Sequence, residues 1–164
     1  MYLCTLKSPP KGFSTFNSQK KQQKTGEKNM AIEVIFPGNK KVDALIDGYT
    51  VQTDQPVQAG GDGTAPTPFA LFIASMGACA GIYVKGFCDQ RGISTGGMHL
   101  SMDYDYDPAQ KMIARFILQI HVPVDFPAQY DDAVIRAASL CAVKRHLNPA
   151  IESRITIIRD VNNQ

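Results

Sequence analysis

From Phe69 to Arg91 the chain has no proline, and Phe69, Phe72, Ile73, Met76, Ala80, Tyr83, Val84 and Phe87 recur at intervals of three and four. That period belongs to one long helix. Pro68 suits the first helical turn, and Gly92 a C-terminal stop. Everything around this segment reads as strand. Ala31 to Phe36 is an apolar stretch ended by Pro37-Gly38. Val42 to Ile46 and Tyr49 to Thr53 flank Asp47-Gly48, a strong two-residue hairpin signal. Asp54 to Thr67 is a loop rich in glycine, proline and threonine.

Beyond the helix, Leu100, Met102, Tyr104 and Tyr106 alternate with Ser101, Asp103 and Asp105, a strand with an acidic outer face. Asp107-Pro108 marks a turn, and Met112 to Val122 alternates with Phe116, Leu118, Ile120 and Val122 on one face. Pro127 opens a second helix expected to run to about Leu147, and Arg154 to Arg159 is a last strand. The order β-β-β-α-β-β-α-β, joined mostly by hairpins, argues an α+β fold rather than a doubly wound parallel sheet.

Charge separates the chain into two parts. Residues 1–29 carry six lysines and one acid, whereas the rest carries 11 basic and 14 acidic side chains. The first 29 residues are polar and unpatterned, so they are expected to be disordered, or an upstream mis-start or vector remnant. Residues 30–164 form the single expected domain. Scattered lysines with little arginine do not make a nucleic-acid arm, and no nucleic-acid partner is expected. No apolar run approaches 18 residues, so neither a membrane span nor a membrane partner is expected. With no export signal in residues 1–15, the cytoplasm is the expected location, where paired cysteines are more often catalytic than structural.

The long helix is unusual in its middle. Ala74-Ser75-Met76-Gly77-Ala78-Cys79-Ala80-Gly81 is almost all small. Two glycines inside a helix cost roughly 1 kcal/mol each relative to alanine, which suggests that something approaches closely there. Cys79 and Cys88 are nine positions apart, about 180° around a helix axis, and cannot serve one site. Cys4 lies in the tail. Cys141 falls in the second helical segment with Lys144 and Arg145 three and four positions on; cations on that surface would favour a thiolate, or merely suit a helix C-terminus. His146 is off the Cys141 face. His99 and His121 sit on different strands with no carboxylate or cysteine at ligand spacing, so no metal site is expected. There is no GxSxG, no P-loop and no HExxH.

The stretch from Gly63 to Cys79, GTAPTPFALFIASMGAC, resembles the signature of the OsmC/Ohr family, the osmotically inducible and organic hydroperoxide resistance proteins. Arg91-Gly92-Ile93 resembles that family's helix exit, and Cys141-Ala142-Val143-Lys144-Arg145 its second cysteine motif. The likeness covers about residues 31 to 160. It implies an intertwined homodimer with two long central helices packed on antiparallel sheets. It implies further that Cys79 attacks a peroxide, and that Cys141 resolves the sulfenic acid as a disulfide, which a dithiol such as protein-bound dihydrolipoamide reduces; no bound cofactor is implied. Lys144 and Arg145 become candidate thiolate stabilisers. Phe69, Phe72 and Met76 become candidate pocket walls for an organic peroxide, with plain core the competing reading.

The chain also departs from the family pattern. No carboxylate follows Pro68, no arginine precedes Arg91, and Ala142 replaces the proline that usually follows the second cysteine. This is the profile of a divergent branch. Three functions follow as candidates: a thiol peroxidase, a non-catalytic dimer binding a small ligand with unactivated cysteines, and a structural dimer with inert thiols.

Overall fold

The computed structural model describes residues 32–160. The expected disordered extension, residues 1–29 with Cys4, lies outside the described residues. Three strands open the fold: β1 (Ile32–Gly38), β2 (Lys41–Ile46) and β3 (Tyr49–Val51), an antiparallel sheet in that order. Asp47 and Gly48 both take positive φ, 49° and 88°, as a two-residue hairpin between right-twisted strands demands. Every residue of β1 is exposed.

The loop that follows is pinned from inside by one carboxylate. Asp54, fully buried, accepts hydrogen bonds from the backbone N–H groups of Gln55, Asp62 and Thr64 and from the Thr64 hydroxyl. These bonds hold its pKa at about 2, below the ordinary 3.8. Lys41 and Asn39 tie the hairpin to the same loop through Asp62, at 2.8 and 2.7 Å.

The long helix α1 (Pro68–Asp89) begins and ends where the sequence directs. The Thr67 hydroxyl caps it by accepting from Ala70 N–H at 3.1 Å, with Pro68 in the first turn. At its end Gly92 takes φ +65°, and the Ile93 and Gly92 N–H groups return to the carbonyls of Cys88 and Asp89, a Schellman closure. Met76, Ala80, Val84 and Cys88 form its buried stripe. α1 is also long and apolar enough, by length and composition, to cross a membrane, although it contains no unbroken apolar run of 18 residues. Its alanines and cysteines add to the large apolar residues and bring the mean hydropathy to 1.5.

The second sheet holds β4 (His99–Asp107), β5 (Met112–Pro123) and β6 (Glu152–Asp160) in that order. β4 and β5 are antiparallel, whereas β6 runs parallel to β5, so this sheet is mixed where an antiparallel one was expected. Phe116, Leu118, Ile120 and Val122 are all buried, and Leu118, Ile120 and Val122 join α1 in the core. The expected element order holds, and the fold is α+β.

The second helix differs from expectation. It is not one rod from Pro127 to Leu147 but a 3-10 turn at Ala128–Tyr130, α2 (Asp131–Ser139) and a four-residue α3 (Ala142–Arg145). The chain breaks at Leu140, and Cys141 is extended, with φ −45° and ψ 121°. α2 buries Val134 and Ala138, and the break lets Cys141 bury as well before α3 passes α1. A bidentate pair from Arg159 to Asp131, both contacts 2.8 Å, fixes the start of α2 to β6.

Candidate functional site

Cys79 lies in the middle of α1, one position before the buried Ala80, and is half-buried. Cys141 is 2% exposed, at the α2–α3 break, with its thiol 3.7 Å from the Met76 carbonyl. The two thiols are close enough to influence each other's titration. Folding thus brings together the two cysteines singled out from the sequence, 62 positions apart. Cys88 is fully buried and takes no part; burial pushes its thiol up.

The electrostatics of the pair are lopsided. The Val143 N–H is the main influence holding the Cys79 thiol below its ordinary pKa; burial opposes it, and the Cys141 thiol, the Ala142 N–H and the Arg145 charge add to it. Burial pushes Cys141 the other way, only partly offset by the Lys144 N–H. The reason is the helix break. A continuous helix would commit the N–H groups of residues 142–144 to carbonyls one turn back; starting α3 at Ala142 leaves them free to meet sulfur.

The roles expected of Lys144 and Arg145 therefore change. The reading on a continuous helix had both cations beside Cys141. In the structure Arg145 acts on Cys79, and Lys144 reaches Cys141 through its backbone N–H. No arginine precedes Arg91, and Lys41 at the start of β2 is engaged by Asp62. His146 is exposed, its Nδ1 2.8 Å from the Ala142 carbonyl.

Of the three expected pocket walls, Met76 is buried at 3% exposure, while Phe69 and Phe72 are exposed at 50% and 39%. Met76, Met102, Phe116 and Cys141 line a cavity of about 30 Å³, with Lys144 and Arg154 at its polar side. That volume suits a water or hydrogen peroxide. Beside it, sharing Met102, an open groove of about 460 Å³ runs between the start of α1 and β4, walled by Phe69, Ile73 and Tyr104. Phe69 packs edge-on against Tyr104 and Phe72 against Phe116, with centroids 5.9 and 6.3 Å apart. Among the described residues the close approach expected at Gly77 and Gly81 is not made: an added Cβ would meet Met102 and Leu100 at ordinary distances of 3.8 and 3.9 Å.

These features can be set beside known proteins. The model of the OsmC family, described as OsmC-like protein, matches residues 61–156. The chain belongs to the OsmC-like family. A structure from Psychrobacter arcticus, described as an osmotic stress induced and detoxification response protein, superposes with a TM-score of 0.70 at 17% identity, covering 82% of this chain and 99% of that one. An OsmC-like protein from Mycoplasma pneumoniae gives 0.67 at 12% identity, covering 83% and 100%. An organic hydroperoxide resistance protein OsmC from Legionella pneumophila gives 0.58 at 18%, covering 81% and 98%. A search of the curated proteins finds no match. At these identities the structural likeness establishes the OsmC-like fold and leaves the chemistry to the residues themselves.

One grouping escaped the sequence. His99 and His121 pair directly across β4 and β5, and Asp160 at the end of β6 joins them, all three ligand atoms lying within 4.8 Å. No carboxylate stands at ligand spacing from these histidines in the sequence, yet the fold brings Asp160 to both. The two histidine positions are 22 residues apart, and only strand register makes them neighbours.

Proposed function

We propose that this protein is a thiol-dependent peroxidase acting through Cys79 and Cys141. The observation that carries the reading is the asymmetry of the pair: a half-buried thiol with its pKa held down faces a fully enclosed thiol with its pKa raised. A peroxidatic cysteine must be a thiolate with a path to solvent, and a resolving cysteine must wait as a thiol beside it. The Cys79 thiolate attacks the terminal peroxide oxygen, the O–O bond breaks, and the alcohol or water leaves with the proton it gains. The Cys79 sulfenic acid then condenses with the Cys141 thiol, forming the S–S bond and releasing water. An external dithiol, a lipoylated protein among the candidates, takes up the disulfide and returns both thiols.

Organic hydroperoxides fit better than hydrogen peroxide alone. The groove walled by Phe69 and Tyr104 offers apolar area for an organic tail, and it adjoins, through Met102, the small cavity lined by the resolving Cys141. The names of two relatives, organic hydroperoxide resistance proteins from Legionella pneumophila and Bacillus subtilis, lend support. Exposed Phe69, Phe72 and Ile82 on α1, with the wholly exposed β1, support a homodimer as the working form.

Stopped-flow consumption of cumene hydroperoxide and hydrogen peroxide, with dihydrolipoamide as reductant, tests the reading. Turnover disappears in Cys79→Ser, and Cys79 over-oxidises in Cys141→Ser. Equal rates in wild type and both variants, no faster than a free thiol, would leave the site to a non-catalytic ligand.

A further inference from the structure

On the face of the second sheet opposite α1, three side chains converge for which the thiol chemistry has no use. His121 is turned away from the buried Ile120 and Val122 that flank it in β5. Its Nδ1 lies 3.1 Å from Asp160 Oδ1, and its ring stacks on that of His99, with centroids 4.1 Å apart and planes 11° from parallel. His99 Nδ1 is 3.9 Å from the other oxygen of the same carboxylate. On its far side, His121 Nε2 is 3.1 Å from Ser101 Oγ, and Ser101 donates its one proton to Gln119 Oε1 at 3.3 Å.

The Nδ1 atoms of both imidazoles face the Asp160 carboxylate, and the three ligand atoms lie within 4.8 Å of one another. A hydrogen bond from His121 to Asp160 engages one imidazole and leaves His99 without a close share in the carboxylate. A single divalent ion serves both imidazoles and the carboxylate together.

We propose that His99, His121 and Asp160 bind a divalent transition ion of the zinc class, through the two Nδ1 atoms and one carboxylate oxygen. Two imidazoles and a carboxylate select such ions over magnesium or calcium. Zinc bonds of about 2.0–2.2 Å put tetrahedral ligands roughly 3.4 Å apart; His121 Nδ1 is 3.1 Å from Asp160 Oδ1 and His99 Nδ1 is 3.9 Å from Oδ2. His99, 60% exposed, turns out of the stack so that its lone pair meets the ion held by His121 and Asp160. Ser101 and Gln119 orient His121 from behind, as outer partners of metal-bound histidines do. Three protein ligands leave a position for water or an exogenous ligand. The ion would clip the end of β6 to β4 and β5, on the side of the sheet away from the cysteines.

The test uses the full chain, stripped with a chelator and kept reduced by a non-thiol reductant. Zinc chloride is titrated against a chromophoric chelator, beside His99→Ala, His121→Ala, Asp160→Asn and Ser101→Ala. Cobalt chloride in place of zinc reports ligand type, because thiolate ligation adds strong near-ultraviolet charge-transfer absorption. The expected result is one ion per chain, tight binding lost in the three ligand variants, and ~10–100-fold weaker binding in Ser101→Ala. The cobalt spectrum should show nitrogen and oxygen ligation, unchanged in the Cys79→Ser/Cys141→Ser protein. If His121→Ala fails to fold, the exposed His99→Ala and Asp160→Asn decide alone. No zinc uptake, binding that survives Asp160→Asn, or a thiolate spectrum would each overturn the proposal.

Discussion

Substituting Gly61 by alanine tests how tightly the loop before α1 is held. A Cβ at this position would lie 1.9 Å from the Gln55 carbonyl oxygen, 2.5 Å from its carbon and 2.8 Å from Asp54 Oδ1. Two of these are backbone atoms, so no rotamer change relieves the clash; the peptide must move by more than about 1 Å to restore a normal contact. The displaced carbonyl accepts the Gly63 N–H at 3.1 Å, a bond worth about 1 kcal/mol net. Overpacking strain adds about 1–3 kcal/mol, giving an expected loss of about 2–4 kcal/mol. Gly86 is the control. It sits inside α1 with nothing within 4 Å of an added Cβ. Gly86→Ala should therefore stabilise by about 0.5–1 kcal/mol through helix propensity. Urea unfolding at pH 7 and fixed protein concentration, followed by circular dichroism, measures both. The midpoints should move in opposite directions with unchanged slopes. A Gly61→Ala protein within about 0.5 kcal/mol of wild type would refute the rigid-loop argument. A destabilised Gly86→Ala would show that something outside the chain occupies that face of α1.

Three further outcomes follow from the same geometry. Because Asp54 titrates at about 2 in the fold against 3.8 ordinarily, the stability it confers is complete above about pH 4 and is lost as pH falls through about 2; acid titration of Asp54→Asn should lack that leg. Val143→Pro deletes the leading N–H at Cys79 in a first helical turn that tolerates proline, and should slow iodoacetamide labelling of Cys79 at pH 7 about tenfold, whereas Arg145→Gln, an exposed charge, should slow it roughly two- to threefold; equal effects would contradict the ranking. Ile120→Ala removes a fully buried side chain between α1 and the second sheet, and should cost about 2–5 kcal/mol by chemical denaturation with the peroxide reaction retained at low temperature.

Much of the architecture was legible because its signals are local. Thr67, Pro68 and Gly92 place the ends of α1 by capping chemistry that acts within a turn. Asp47-Gly48 specifies a hairpin because few other pairs accept two positive φ angles in succession. The alternation from Phe116 to Val122 gave both the strand and its buried face. The break at Leu140 and Cys141 was not legible. Ser139 to Arg145 contains no proline or glycine, and its residues suit a helix. The interruption comes from packing, since Cys141 buries against α1 only if the chain turns there.

The sequence by itself determined the element order, the α+β class and the core face of β5, which follow from periodicity and turn chemistry in short windows, while the pairing of Cys79 with Cys141 came from the family resemblance. The tertiary structure alone decided what those cysteines meet. Freed N–H groups and Arg145 reach Cys79 because α3 starts anew beside α1, and burial weighs on Cys141 for the same reason. It also decided that His99, His121 and Asp160 share one corner of a sheet, because register and the parallel run of β6 are fixed by contacts between distant strands.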